Sequence, residues 1–410
     1  MRYFKNTELA KLHNVSEKSV RNWIDAAENG KLDLQLYQQG NKLFIANTSK
    51  NITVIGTLVE KGKKYRNTRG FKLTSPKPEF YKLFDSKETL NITSNLDVHH
   101  EIPLQYCYFD GGASIWDKYI QKLAKENEEN ILTNTMSLLG INLDYLEGLL
   151  KDSKRINIID IGPGNAYPVR GLVEYFLESG RLNRYIAIDV SRDMLNIAKR
   201  NMCSWFGDSL LFESYVRDIT YERFSDILAV DSFIRDEPVR NLVLFFGSTL
   251  SNFRDPSQPL SAIRESMGKR DLLLFTKQLD TPNARRYFDF DIEPNSKAKI
   301  SPLGRFTFEL LGIDESLYEV EQFFDERSME RRLQVRLSVA ISVEFELNGR
   351  HKILNFNKGD VILFWRHRHQ NALQTIEQFD KNGFSLLQAA TSADGECLLS
   401  ISKIKLDLEQ

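Results

Sequence analysis

Three aspartates stand where a nucleoside could be held. Asp160 ends the apolar run Ile156-Asn157-Ile158-Ile159 and opens Asp160-x-Gly162-x-Gly164. Asp189 closes Arg184-Tyr185-Ile186-Ala187-Ile188, 25 residues after Gly164, and Asp218 follows Tyr215-Val216-Arg217. A carboxylate only accepts hydrogen bonds, so one can take both hydroxyls of a ribose and another the exocyclic amine of adenine. Two closely spaced glycines let backbone approach a ligand at the mouth of a parallel sheet. The third glycine of the dinucleotide fingerprint is missing, which leaves a pyrophosphate poorly cradled. A ligand with adenosine but no diphosphate fits better than NAD, and S-adenosyl-L-methionine (SAM) is that ligand. Asp160, Gly162, Gly164, Asp189 and Asp218 are the expected cofactor-binding residues.

These side chains need a scaffold, and from about residue 150 the chain supplies one. INIIDIG reads as a buried strand, YPVRGLVEYFLESG as a helix, RYIAIDV as a strand and SRDMLNIAKRNMCSWF as a helix. The strand-like runs LLFESYVRD, NLVLFFGS and LLLFTKQLD follow. Apolar strands alternating with helices predict an α/β fold with a doubly wound, Rossmann-like parallel sheet, whose ligands sit at the carboxyl ends of the strands. Alternating apolar and polar residues in RLQVRLSVAISVEFEL and GECLLSISKIK predict antiparallel strands further on.

At 410 residues, 41% of them hydrophobic, the chain is expected to form two or three globular domains. It has no uncharged apolar stretch of membrane-spanning length, and MRYFKNTELAKL lacks the apolar core of a signal peptide, so a cytoplasmic location is expected. Cys107, Cys203 and Cys397 are too far apart for a redox pair or a zinc cluster and read as buried free thiols.

Charge is distributed unevenly. Residues 1–72 hold 14 Lys and Arg against 6 Asp and Glu, a net of +8 in a chain of net charge −1. A basic head before an acidic body suggests a polyanion partner. Within the head, Leu9, Ala10, Leu12, Val15, Val20, Trp23 and Ile24 are spaced for two short amphipathic helices, with His13-Asn14-Val15 as the turn and Ser16 as N-cap of the second. LYQQGNKLFIANT, residues 36–48, adds a hairpin about Gly40-Asn41. This stretch resembles the excisionase-like and MerR-like winged helix-turn-helix modules. A second helix of that kind, placed in a major groove, would present Lys18, Ser19, Arg21 and Asn22, with Lys42 and residues 61–72 on phosphates. The expected division is therefore a DNA-binding unit at 1–72 and a linker at 73–100.

The strand-end segment FFGSTLSNF, residues 245–253, has no acidic-Pro-Pro-aromatic motif, so methylation of DNA amino groups is not expected. It resembles the GSTxGN segment of the ergothioneine-pathway histidine N-alpha-methyltransferases, and the likeness extends over about residues 101–404. The resemblance implies a SAM-binding domain at 101–284 and a substrate-side α+β domain at 285–410. It also places a cofactor contact at Phe109 within Tyr108-Phe109-Asp110-Gly111-Gly112-Ala113-Ser114, and the catalytic positions at Asn252 and Tyr287, which would hold the acceptor's amino acid backbone. Arg305 matches a further motif. Two departures point away from histidine as substrate. LAKENEENILTN, residues 123–134, lacks the family's second substrate tyrosine, and VILFWRHRHQ, residues 361–370, stands where the family has the Glu and Ser that grip an imidazole.

In that last run one strand face would carry Trp365, His367 and His369 and the other Arg366 and Arg368. Two histidines without a clear third ligand do not make a metal site, and none is expected. The cationic face is expected to bind an acidic group or to line the domain seam. The expected activity is SAM-dependent methyl transfer, as an N-methylation, to an amino-acid-like small molecule other than histidine. The alternative is a DNA-binding regulator whose methyltransferase-like body senses SAM.

Overall fold

The computed structural model describes residues 3–68, 70–109, 111–125, 129–234, 239–287, 296–297 and 302–406. Its centre is a seven-stranded sheet. The strands, in chain order, are β1 (Arg155–Ile161), β2 (Leu182–Asp189), β3 (Phe212–Val216), β4 (Val239–Phe245), β5 (Leu272–Gln278), β6 (Phe384–Thr391) and β7 (Cys397–Ile404). Their spatial order is β6-β7-β5-β4-β1-β2-β3. The pairs from β3 through β5 are parallel, and β7 runs antiparallel to both neighbours.

The unbroken apolar runs are explained by burial on both faces. Ile156, Ile158, Tyr185, Ala187, Leu242 and Leu244 belong to one core cluster, while Ile159, Ile161, Ile186, Ile188, Val243 and Phe245 belong to the cluster on the opposite side. Helices Ile131–Ile141, Arg170–Glu178 and Arg192–Phe206 cover the first face; Ser225–Ile234, Ser257–Ser266 and Ala372–Lys381 cover the second. The strands therefore end in register along one edge, and Asp160, Asp189 and Asp218 come with them.

A second core forms beside this sheet. It contains Phe80, Phe84, Ile92 and Leu96 together with Phe308, Val335, Val343, Phe345, Phe356 and Ile362. Residues 73–100, expected as a linker, are instead the strand Lys72–Thr74 and the helices Pro78–Leu83 and Ser86–His99, and they supply a large part of that core. The strand Lys72–Thr74 pairs in parallel with Ile341–Leu347. A second small sheet joins Ser296–Lys297, Tyr318–Asp325, Glu330–Leu337 and Val361–Arg368. The boundary drawn at residue 285 is also crossed, because β6 and β7 return from the expected second domain to complete the central sheet.

The head has its own core of Leu9, Ala10, Val20, Ile24, Leu34, Ile45, Ile55 and Val59. Helices Asn6–Leu12 and Glu17–Glu28 pack beside a three-stranded antiparallel sheet of Tyr3–Phe4, Leu36–Gln39 and Lys42–Ala46, and a long helix, Ser49–Thr68, follows. Ser16 caps the second helix by accepting from the Ser19 amide at 3.1 Å, as its position implies. Cys107 and Cys397 are buried; Cys203 is exposed, contrary to expectation, because it lies on the solvent side of its helix.

Candidate active site

At the carboxyl ends of β1, β2 and β4 the chain encloses a cavity of about 380 Å³, lined by Asp160, Gly162, Gly164, Asp189, Asp218 and Asn252 among others. That volume falls within the roughly 300–1,000 Å³ usual for small-molecule sites. The sequence placed these six residues 92 positions apart from first to last, and parallel strand order brings them to one mouth.

The glycine loop is held by contacts on three sides. Gly162 has φ +63° and its amide donates to the Ile188 carbonyl at 2.8 Å, which locks the loop to β2. Gly164 has φ +56°, and a Cβ there would stand 3.2 Å from the Trp116 Nε1. Asn165 is buried and donates from Nδ2 to Asp117 Oδ1 at 2.9 Å, while Arg200 and Gln121 donate to the other Asp117 oxygen at 3.1 and 3.0 Å. The helix Gly112–Leu123, which carries Trp116 and Asp117, thus closes over the loop. Neither residue is singled out by its sequence neighbourhood.

Each aspartate has a distinct setting. Asp160 accepts a hydrogen bond from Tyr185 Oη at 2.5 Å, and burial pushes its carboxyl up to about 7. Asp189 accepts from the Ser191 amide at 2.8 Å, and burial pushes it up to about 6. Ser191, not Asp189, caps the helix Arg192–Phe206, accepting from the Met194 amide at 3.3 Å, so the aspartate side chain stays on the cavity wall. Asp218 Oδ1 accepts from the Thr220 amide at 2.9 Å, and its own amide donates to Glu222, which Lys87 anchors at 2.8 Å.

The far wall is built by the turn Thr249–Asn252 after β4 and by the strand Val361–Arg368, which pack against each other. Asn252 lines the cavity, and its Oδ1 is buried without a hydrogen-bond partner among the described residues. Trp365 and His367 line the cavity from the strand, with their rings 5.9 Å apart and 13° from parallel. The opposite face of the strand is spent internally. Arg366 donates to Glu101 at 2.5 Å and to Glu330 at 3.4 Å, and Arg368 donates to Glu330 at 2.7 Å.

A family model for histidine-specific, SAM-dependent methyltransferases matches residues 88–403. The chain belongs to that family. It is a SAM-dependent methyltransferase. No curated protein matches the sequence. Solved structures that the chain is similar to include a SAM-dependent methyltransferase from Clostridium acetobutylicum, 11% identical with a TM-score of 0.39, covering 72% of this chain and 98% of that one. The N-methyltransferase NodS from Bradyrhizobium japonicum is 11% identical with a TM-score of 0.33, covering 70% and 97%. Magnesium protoporphyrin IX methyltransferase from Synechocystis is 9% identical with a TM-score of 0.37, covering 72% and 97%.

Not every expected site residue of the methyltransferase reaches the cavity. Phe109 does not line it. Its ring packs 5.3 Å from Phe84 and 5.9 Å from Tyr106 in the second core, and its neighbour Tyr108 faces the cavity instead. The backbone of Tyr287 ends the helix Pro282–Tyr287, but its side chain lies outside the described residues. Arg305 is exposed and pairs with Glu315 on the surface. Deeper in the wall, Lys277 on β5 is 1% exposed and donates to Gln370 Oε1 at 2.5 Å; burial brings its ammonium down to about 7. Burial, with His369, Lys277 and Arg331 nearby, holds the His367 imidazole well below its ordinary range, so it is neutral.

In the head, Lys18, Arg21, Asn22 and Lys42 are exposed and Ser19 is half-buried. Arg21 reaches back to Glu17 at 3.5 Å, and the Ser19 and Ser16 hydroxyls share a hydrogen bond at 3.0 Å. Among the described residues no helix is long and apolar enough to cross a membrane.

Proposed function

We propose that this methyltransferase moves the methyl group of SAM onto the amine of an amino-acid-like small molecule other than histidine. The single observation that carries the acceptor assignment is the buried, unpartnered Asn252 Oδ1 on the wall of the cavity that also holds Asp189 and Asp218. A buried acceptor left unpaired costs about 1–3 kcal/mol, and an amine N–H supplied by the substrate offsets it.

The residues present fit the donor. Asp189, at the end of β2, is placed for ribose hydroxyls, and Asp218, after β3, for the adenine amine. The Gly162–Gly164 loop lets backbone approach the nucleoside without a Cβ in the way. Asp160 takes no ligand in this reading; its bond to Tyr185 braces the root of the loop. Bound SAM would supply a methyl carbon on a sulfonium, which an incoming amine lone pair attacks in line while the carbon–sulfur bond breaks and S-adenosylhomocysteine leaves. What the chain must do is align that lone pair, and an amine held by Asn252 is aligned. Tyr287 is the second expected hold on the acceptor backbone.

Histidine is disfavoured by what stands beside Asn252 on the far wall. Trp365 and His367 occupy the strand, and a neutral imidazole offers a substrate imidazole N–H one uncharged ring nitrogen where a carboxylate offers two oxygens and a charge. Calorimetry with SAM and S-adenosylhomocysteine, followed by a methyl-transfer screen of amino acids and amines, tests the reading. Retention of the parent rate by Asn252→Ala would overturn the acceptor assignment.

A second proposal concerns the head. Its net +8 charge and the exposure of Lys18, Arg21, Asn22 and Lys42 support binding to DNA backbone phosphates. Gel-shift titrations at rising salt test it; no shift at about 50 mM salt sinks it.

A further inference from the structure

Outside the cavity, one carboxylate ties together the elements that form its donor side. Asp117 is 5% exposed and is not among the described lining residues. Its Oδ1 accepts from Asn165 Nδ2 of the glycine loop at 2.9 Å, and its Oδ2 accepts from Arg200 of the helix Arg192–Phe206 at 3.1 Å. Asn165 is bonded in turn on its other polar atoms. Its Oδ1 accepts from the Tyr167 amide at 3.1 Å, and its carbonyl accepts from Asn201 Nδ2 of the helix Arg192–Phe206 at 3.0 Å. One side-chain pair thus joins the helix Gly112–Leu123, the loop and the helix Arg192–Phe206.

Each of these elements supplies part of the donor wall. Trp116 and Ile120 reach the cavity from the first helix, Gly162 and Gly164 from the loop, and Met194 from the helix that starts beside Asp189. Trp116, the neighbour of Asp117, is also the group that leaves no room for a Cβ on Gly164. A buried carboxylate is costly unless it is hydrogen-bonded, and a buried polar cluster whose members are satisfied selects one arrangement where apolar contacts tolerate several. Walls already at their final spacing leave less ordering to be done when a ligand binds.

We propose that Asp117 is the positioning residue of the donor site. By holding Asn165 and Arg200 at once, it fixes the Trp116 helix, the glycine loop and the helix beside Asp189 at the spacing that receives SAM, without touching the ligand itself. This rests on the donor reading above and adds to it the residue through which that site is assembled.

Donor and acceptor can be exchanged within the pair, which separates this role from mere packing. Asp117→Asn leaves one oxygen where two were used, and Asn165→Asp sets two carboxylates against each other. In the double variant the new amide at 117 donates to the new carboxylate at 165. Its oxygen still accepts from Arg200, and the carboxylate still accepts from the Tyr167 amide.

The test is calorimetry of S-adenosylhomocysteine on the full chain, at a temperature where melts show each variant folded. Asp117→Asn and Asn165→Asp are each expected to weaken binding at least about tenfold, the scale of a lost hydrogen bond to a charged group. The double exchange should return to within about threefold of the parent, because the two sites are coupled. Gln121→Ala removes a donor to Asp117 from the same helix without touching the loop, and should change affinity by less than about twofold. Parent affinity in Asp117→Asn overturns the proposal, as does an exchange that recovers nothing, or a loss in Gln121→Ala as large as that in Asp117→Asn. Should Asp117→Asn fail to fold, Arg200→Met decides. A loss of about threefold is expected there, small because Arg200 is exposed, and an unchanged affinity overturns the proposal. A parent chain that does not bind S-adenosylhomocysteine overturns the donor assignment instead, so the two failures are told apart.

Discussion

Trp116 Nε1 lies 3.2 Å from the point that a Cβ on Gly164 would occupy, and Gly164 itself holds φ +56°. The helix that carries Trp116 thus closes on the loop only because that residue has no side chain. Gly164→Ala meets both a left-handed backbone and a tight contact. We expect it to destabilise the fold by about 1–2 kcal/mol and to weaken SAM binding as the helix is pushed back. Thermal melts with and without S-adenosylhomocysteine separate the two effects.

Asp189 is the residue on which donor affinity should depend most directly. Its carboxyl, pushed up to about 6 by burial, is protonated below that pH and then no longer accepts from two hydroxyls. Affinity for S-adenosylhomocysteine is expected to be level above about pH 7 and to fall as pH drops through 6, up to tenfold per unit. Asp189→Asn should flatten the profile and weaken binding at pH 8 by about 1.5–3 kcal/mol, the range for hydrogen bonds to charged groups. A parent profile that stays flat down to pH 5 rules this role out.

Asp160 titrates in the same window with a different consequence. Burial, against the hydrogen bond from Tyr185 and with a smaller push from Asp189, raises it to about 7. The folded state therefore holds a proton that the unfolded chain gives up near pH 4, so stability is greatest at low pH and is lost as pH rises through about 7. Asp160→Asn keeps an acceptor for Tyr185 and removes the charge. The variant is expected to melt higher than the parent at pH 8 and to lose that advantage progressively as pH falls from about 7 to about 4, with a difference of a few kcal/mol at most.

Glu330 is 1% exposed and takes hydrogen bonds from Arg332 at 2.8 Å, Arg366 at 3.4 Å and Arg368 at 2.7 Å. Glu330→Gln leaves those guanidinium groups without their shared counter-charge beneath the acceptor wall. A loss of about 3–5 kcal/mol is expected from breaking such a buried cluster. Denaturant unfolding measures it, and a change below about 1 kcal/mol would show that the arginines are satisfied without it.

The central sheet was legible from its apolar runs because a strand buried on both faces needs no polar alternation, and Ile156 through Ile161 or Leu242 through Phe245 follow that pattern. Its ligand edge was legible for the same reason, since each run ends in an aspartate or a glycine. The 73–100 segment was missed because its buried face is mixed. Thr89 and Thr93 lie inward beside Ile92 and Leu96, with the Thr93 hydroxyl bonded to the Thr89 carbonyl at 2.7 Å, and that hides the apolar period. Phe109 and Tyr108 satisfy the same aromatic pattern, and only the packing of Phe109 on Phe84 leaves Tyr108 as the ring on the cavity. The pairing of Asp117 with Asn165 and the placing of Trp365 and Asn252 on one cavity wall span 48 and 113 positions, and nothing local announces them.

The place of β7 has a consequence for how the molecule comes together. Among the described residues β6 is hydrogen-bonded to β7 alone, and β7 is wedged between β6 and β5. While a ribosome is still extruding the chain, β5 presents a bare margin of amide and carbonyl groups and β6 has nothing to join. Only when residues 397–404 emerge can the wedge enter and seal that margin. The nascent polypeptide therefore carries an adhesive flank until residues 397–404 are made, and a premature stop upstream of Cys397 would leave it permanently open to aggregation.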